Sequence, residues 1–292
     1  MFTIENEFLS ATINPKGAEL TSLIHKSTGQ EFLWSGDAAF WGKHSPVLFP
    51  IVGTLKNDRF IYKDQSYQLG RHGFAREKKF EVGTHTATSL TLTLNDDEET
   101  LKLFPFHFRL YLIYQLEEQK LSLTYLVNNL TDGEMYFSVG GHPAFKVPLN
   151  DELSYVDYYL QFNKSENAGR WPISKDGLLE TTPVDLMQGS DKLPLSKKLF
   201  EQDALVIKNM ASSEVKLICD KDSAGFTFNY DGFPFLGIWA AKGADFVCIE
   251  PWCGVADSVD SSQKIEEKEG IVRLEKSEKF ERTWSVEISA SL

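Results

Sequence analysis

The chain of 292 residues is poor in cysteine, with only Cys219, Cys248 and Cys253. These form no CxxC pair and no even-numbered set, which argues against a structural zinc ribbon and against the disulfide framework of small secreted domains. No run of about 18 apolar residues is present, so a membrane-spanning helix is not expected. The opening MFTIENEFLSATINPKG lacks a basic segment followed by an apolar one. No signal peptide is read there, and a cytoplasmic address is the expectation. Low-complexity segments, repeats and Gly/Ser-rich linkers are missing as well. Positive charge is scarce: 30 Lys and Arg stand against 42 Asp and Glu, a formal net charge of −12. So negative a surface repels phosphate backbones, and no nucleic-acid partner is expected. A neutral small molecule is not disfavoured.

Aromatic side chains are plentiful, at 13% of the residues. Flat and β-branched side chains suit the half-buried faces of strands. Period-two alternation runs through the chain. In LTLTL, Leu90, Leu92 and Leu94 oppose Thr91 and Thr93; in LSLTYLV, Leu121, Leu123, Tyr125 and Val127 oppose Ser122 and Thr124. Such alternation marks antiparallel strands with one buried face. FTIENEFLSATIN, FRLYLIYQL, EVKLICD, FTFNY, FLGIWAA, FVCIEPW and RTWSVEIS have the same character. Turn-forming residues separate many of them, at 14–17, 131–133, 175–177 and 230–234. Helical signals are confined to short turns at 37–41 and 263–269, while the acidic stretch 95–99 reads as an exposed loop without EF-hand spacing. The expectation is an all-β chain: residues 1–292 as one domain, a large antiparallel β-sandwich with few short helices.

Three segments are unlike ordinary strand or turn. Gly70-Arg71-His72-Gly73-Phe74-Ala75-Arg76 packs two Arg and a His between glycines, poor material for a core because an unpaired buried charge is costly. Val139-Gly140-Gly141-His142-Pro143-Ala144-Phe145 ends a strand at a His held in a stiff loop. Its paired glycines would let the backbone approach a ligand closely. Val247-Cys248-Ile249-Glu250-Pro251-Trp252-Cys253 ends an apolar strand on a carboxylate whose pKa burial would raise. Trp252 and Trp239 could stack on the apolar face of a sugar ring. Each of these residues also has a structural reading: a solvated hairpin for His72, a satisfied sheet-edge histidine for His142, core packing for either Trp. Taken together, two imidazoles and a carboxylate fit either a metal site or acid–base chemistry. With no HxH or HExxH spacing, no metal is expected.

These motifs carry a family resemblance. His-Gly-Phe-Ala-Arg (72–76), Gly-Gly-His-Pro-Ala-Phe (140–145) and Cys-Ile-Glu-Pro-Trp (248–252), in that order, resemble the aldose 1-epimerase (galactose mutarotase-like) superfamily, and within it the LacX-like branch. The stretches 14–20 and 48–53 extend the similarity over nearly the whole chain. The resemblance implies a supersandwich of β-strands and catalysis of sugar anomer exchange without a cofactor. It makes Glu250 the base that takes the anomeric hydroxyl proton and His142 the acid that protonates the ring oxygen. His72 would hydrogen-bond the substrate beside the reacting oxygen. Arg71 and Arg76 are expected to bind substrate, and Asp203 corresponds to a substrate-binding Asp of the family. Where members often carry an Arg, this chain has Thr54, leaving Lys56 or Arg59 as the basic candidates. Two other functions stay open. A hexose-6-phosphate 1-epimerase would use the Arg residues as a phosphate clamp, and a non-catalytic sugar sensor would keep the cleft without the chemistry. The expected partner is a small sugar; neither a membrane nor a nucleic acid is expected, and the chain would be a monomer or homodimer.

Overall fold

The computed structural model describes residues 1–290 and consists mainly of antiparallel strands. Fifteen of them join one hydrogen-bonded network. From one edge, neighbour to neighbour, it runs Val47–Leu48, Val139–Gly141, Phe246–Cys253, Phe235–Trp239, Leu205–Lys208, Tyr158–Trp171 and Glu214–Cys219. It continues through Asp222–Asn229, Lys279–Ser289, Lys120–Asn129, Phe108–Glu117 and Ser89–Asn95 to Glu81–His85. Two further strands join from the side: Ala144–Lys146 pairs with Phe246–Cys253, and Val184–Pro194 with Tyr158–Trp171. A four-stranded sheet is built from Phe2–Glu5, Leu9–Asn14, Glu19–His25 and Gln30–Glu31.

The large network folds over on itself. Phe145 packs against Phe226 with ring centroids 4.2 Å apart, and Phe49 against Phe108 at 5.0 Å, although these strands lie far apart in the pairing order. Two layers therefore share one aromatic core, the sandwich that the alternation implies. Within Lys120–Asn129 the residues Leu121, Leu123, Tyr125 and Val127 are buried, while their neighbours in sequence are partly exposed.

Two local readings change. The segment 2–14 is not one strand, because the Asn6 side chain accepts hydrogen bonds from the N–H groups of Phe8 and Leu9 and turns the chain into a hairpin. The acidic segment 95–99 is a loop only at its start, since Asp97 caps the α-helix Glu98–Leu103. Its carboxylate accepts from the Thr100 N–H at 2.7 Å, and the Thr100 hydroxyl accepts from the Asp97 N–H at 2.8 Å. The helical turns at 37–41 and 263–269 are present, the latter as the 3₁₀ turn Ile265–Glu267. Among the described residues, no helix is long and apolar enough to cross a membrane.

One strand positions the site. All eight residues of Phe246–Cys253 are buried. The strand has partners along both edges and is covered on both faces, so a strand read as half-exposed alternation would miss it. Alternation still sorts its side chains: Phe246, Cys248, Glu250 and Trp252 share one face.

Candidate functional site

Register explains how residues distant in sequence meet. Val139 and Gly140 pair with Cys253 and Trp252, and Ala144 pairs with Cys248. Continuing that register across the break sets His142 opposite Glu250, where side chains on one face are neighbours. Pro143 has no N–H to donate, yet its carbonyl accepts from the Ile249 N–H at 3.2 Å, which holds the loop against the strand. His142 Nε2 consequently lies 3.1 Å from Glu250 Oε2.

The glycines before His142 have a different purpose from the one expected. A Cβ on Gly140 would stand 2.6 Å from the Trp252 ring, and one on Gly141 would stand 2.7 Å from the Tyr125 hydroxyl. They make room for protein side chains rather than for a ligand. Gly237, opposite Glu250 on the adjacent strand, does the same for Trp252, whose ring would be 2.5 Å from an added Cβ.

His72 reaches the same place from a loop in which its own φ is +66°. It exchanges two hydrogen bonds with Gly53: the His72 N–H donates to the Gly53 carbonyl at 2.9 Å, and the Gly53 N–H donates to His72 Nδ1 at 3.1 Å. With Nδ1 accepting, the neutral ring carries its proton on Nε2. Arg71 Nε lies 3.3 Å from that same Nε2 and cannot donate to it while the proton is there. The Gly53 bond decides, since a backbone N–H cannot turn away and the Arg71 side chain can. The two imidazoles meet edge to face, with centroids 5.9 Å apart. Trp41 stacks on His142 at 4.9 Å, and Trp239 meets it edge-on at 5.7 Å.

These groups line a cavity of about 450 Å³. Arg71, His72, Arg76, His142, Asp203 and Glu250 supply its polar wall; Trp41, Trp239, Trp252, Ile173, Leu179, Val206, Val255 and Ala256 supply its apolar wall. A few polar groups converging within aromatic walls are the usual make-up of a small-molecule site. Eight of the ten expected site residues are therefore brought together. Lys56 and Arg59 are not among the lining residues. The Lys56 ammonium donates to the Ser261 carbonyl, and Arg59 is exposed on the strand Arg59–Tyr62, opposite Gln68.

Trp41, Gly53, Gly177 and the aliphatic wall went unread. Of these, Trp41 ends the turn at 37–41, Gly53 ends the stretch 48–53 that carries the family resemblance, and Gly177 lies in the turn at 175–177, with which its φ of +76° agrees. Asp203 also adopts a left-handed φ, +75°, and its carboxylate accepts from the Ala204 N–H at 2.7 Å.

Burial dominates the electrostatics. It pushes the Glu250 carboxyl well above the usual range, with Arg71 opposing the shift and Asp203 adding to it. It holds His142 below the ordinary imidazole value, and lowers His72 well below it with help from His142, Arg71 and Arg76. Both shifts favour the uncharged forms, a protonated Glu250 carboxyl beside a neutral His142 imidazole. Arg76 is also lowered by burial, and its Nε is buried without a hydrogen-bond partner. Among the described residues, neither Arg71 nor Arg76 makes a side-chain ion pair. Behind the pair, Cys248 brings a third donor: its sulfur and donor atoms of His142 and Glu250 all lie within 4.8 Å of one another.

Known proteins share this architecture and sequence. A crystal structure of a galactose mutarotase related enzyme from Lactobacillus acidophilus superposes with a TM-score of 0.95 at 38% identity, over 99% of this chain and 97% of that one. A galactose mutarotase-like protein from Lactobacillus casei gives 0.93 at 31% identity, over 99% and 100%. The chromosomal LacX protein of Lactococcus lactis is 30% identical over 280 residues, 93% of each chain. The family model described as aldose 1-epimerase matches residues 1–272. With that match and the fold in agreement, the chain belongs to the aldose 1-epimerase family, a family of carbohydrate epimerase-type enzymes.

Proposed function

We propose that the protein interconverts the α and β anomers of a free aldohexose by acid–base ring opening and reclosure. The observation that carries this reading is the 3.1 Å contact between His142 Nε2 and Glu250 Oε2 in a buried cleft. Moving the shared proton from carboxyl to imidazole creates a base and an acid side by side without changing the net charge. The Glu250 carboxylate then takes the proton of the anomeric hydroxyl. As C1–O1 becomes a carbonyl, the C1–O5 bond breaks and O5 receives the proton of the His142 imidazolium. Rotation about C1–C2 and the reverse transfers return the pair to its starting state with the opposite anomer. The two reacting oxygens share one carbon, so the acid and base must be close neighbours. Each positioned proton transfer contributes on the order of 10²–10⁴-fold. His72 Nε2–H donates to a substrate oxygen, and the tryptophans take the apolar ring face.

A second reading has one observation in its favour. Arg71 and Arg76 face the cleft without ion-pair partners, as a phosphate clamp would require. Asp203 on the same wall opposes an anion, which is why the free sugar is preferred. Exchange NMR with fresh glucose, galactose and their 6-phosphates tests both readings, after subtraction of the spontaneous rate. Faster exchange of free sugars supports the first, and a marked preference for phosphates supports the second. Sugar binding without accelerated exchange would mean a sensor and reject both.

A further inference from the structure

Cys248 is completely buried, forms no disulfide, and has no part in the proton transfers proposed above. It lies two residues before Glu250 on the same face of Phe246–Cys253, so its sulfur sits beside the His142–Glu250 pair. A thiol and a carboxyl from one strand meet an imidazole from the break between Val139–Gly141 and Ala144–Lys146. Their donor atoms all fall within 4.8 Å of one another.

We propose that Cys248, His142 and Glu250 form a site for a thiophilic divalent cation such as Zn²⁺, which blocks the cleft when bound. Zinc takes Cys sulfur at about 2.3 Å and His nitrogen or carboxylate oxygen at about 2.0–2.2 Å, so tetrahedral donors stand about 3.5 Å apart. The widest-spaced donors must close by at most about 1.3 Å, while His142 Nε2 and Glu250 Oε2, at 3.1 Å, open slightly, within reach of a carboxylate and a thiol changing rotamer. His142 and Glu250 both line the cavity, which leaves the fourth position facing it, open to water or a sugar hydroxyl. The donor set selects the ion. Sulfur with imidazole favours zinc-like metals, whereas Mg²⁺ and Ca²⁺ prefer oxygen alone. On binding, the metal replaces the protons of the thiol and the carboxyl, as a coordinating thiol is deprotonated outright. The consequence for chemistry is inhibition, because the metal occupies the two groups between which the proton must move.

The inhibitory part rests on the anomerase reading; the binding part does not. Co²⁺ alone, added to metal-free protein, probes binding through its thiolate-to-cobalt absorption in the near ultraviolet. One equivalent should develop that band in the native protein and in Cys219→Ser and Cys253→Ser. Cys248→Ser and Cys248→Ala should lack it and bind Zn²⁺ at least tenfold more weakly in competition with a chromophoric chelator. His142→Asn should weaken binding as well, which keeps the test sound if a Cys248 variant folds poorly. Absence of the band in the native protein, or its survival in Cys248→Ser, overturns the site. In exchange NMR, Zn²⁺ should suppress turnover of the native protein and spare Cys248→Ser. Co²⁺ binding at Cys248 in a protein without exchange activity would retain the site and reject the anomerase reading instead.

Discussion

Gly53 and His72 hold each other through two hydrogen bonds, and one of them sets the tautomer of a cleft imidazole. The Gly53 N–H occupies Nδ1, so Nε2–H is the group left to face a ligand. In ¹⁵N-labelled protein, His72 should show the Nε2–H tautomer from about pH 6 to pH 8, with no titration in that interval, because its pKa lies well below the ordinary imidazole value. Under the proposed reading, His72→Gln keeps a side-chain N–H donor and His72→Phe does not. The Phe variant should lose about 10–100-fold more kcat/KM than the Gln variant, on the scale of about 1.5–3 kcal/mol for a hydrogen bond to a developing charge. Equal losses in the two variants would assign His72 to packing.

The His142–Glu250 pair makes a pH prediction whose limbs follow from opposite shifts. The active form holds one shared proton. Acid adds a second, below the ordinary imidazole range because His142 is depressed; alkali removes the first, well above the ordinary carboxylate range because Glu250 is raised. Exchange rates should therefore be flat around neutrality and fall on both sides. Glu250→Gln cannot accept the hydroxyl proton and should lose at least about 10²-fold in kcat. Near-native exchange in that variant would remove Glu250 as the base.

His72 should weaken the fold in acid. It is buried and depressed, so between its folded and unfolded pKa values the unfolded chain binds a proton that the folded chain does not. Stability falls as pH drops below about 6.5, by up to about 1.4 kcal/mol per pH unit, whereas the depressed His142 is offset by the proton that the raised Glu250 keeps in the fold. Urea denaturation of His72→Gln at several pH values should show a shallower fall between about pH 6.5 and pH 5 than the native protein. An unchanged slope would mean that His72 is protonated in the fold.

Much of this site is legible in sequence because its strongest cues are local. His142 and Glu250 each sit in a short motif next to Pro, and the alternation in FVCIEPW already puts Cys248 and Glu250 on one face. What joins them is the pairing of 139–146 with 246–253, a long-range register that no local pattern encodes. Trp41 illustrates the loss. It comes from a short turn whose residues look like surface, yet its ring covers His142. Lys56 and Arg59 show the converse, since proximity in sequence to Gly53 suggests a place in the cleft, yet neither lines the cavity. The glycines were visible, but the bulk they avoid belongs to Trp252 and Tyr125 on other strands, which their own motif does not reveal.

Gly237 turns that last point into a mutation. An alanine there places its methyl 2.5 Å from the Trp252 ring and 3.2 Å from Glu250 Cβ. The ring stands between two strands and next to Gly140, so it has little room to retreat. Gly237→Ala should cost about 1–3 kcal/mol from overpacking and displace the carboxylate from His142. We expect a folded protein with at least about 10-fold lower kcat, a loss that a small misplacement of a catalytic group can cause. Full activity would show that the strand pair shifts as a unit.

Lys268 and Asp257 form an ion pair at 2.7 Å with both side chains almost fully buried. Asp257 is more than a counter-ion. Its carboxylate also accepts from the Lys56 N–H at 2.9 Å, its own N–H donates to the Thr54 carbonyl, and its carbonyl accepts from the Leu179 N–H. The residue thereby ties three segments that carry Gly53, Leu179 and Ala256, all of which line the cavity. Removing one partner of a buried pair leaves an uncompensated charge, which costs about 3–5 kcal/mol, whereas replacing both with apolar residues can be close to neutral. Lys268→Met should therefore lower the urea midpoint strongly. Adding Asp257→Leu should recover little, because the carboxylate that serves the Lys56 N–H is lost at the same time. If the double variant regains native stability, the backbone bonds to Thr54 and Leu179 suffice to hold the wall. Otherwise the Asp257 carboxylate is itself the structural anchor of this side of the cleft.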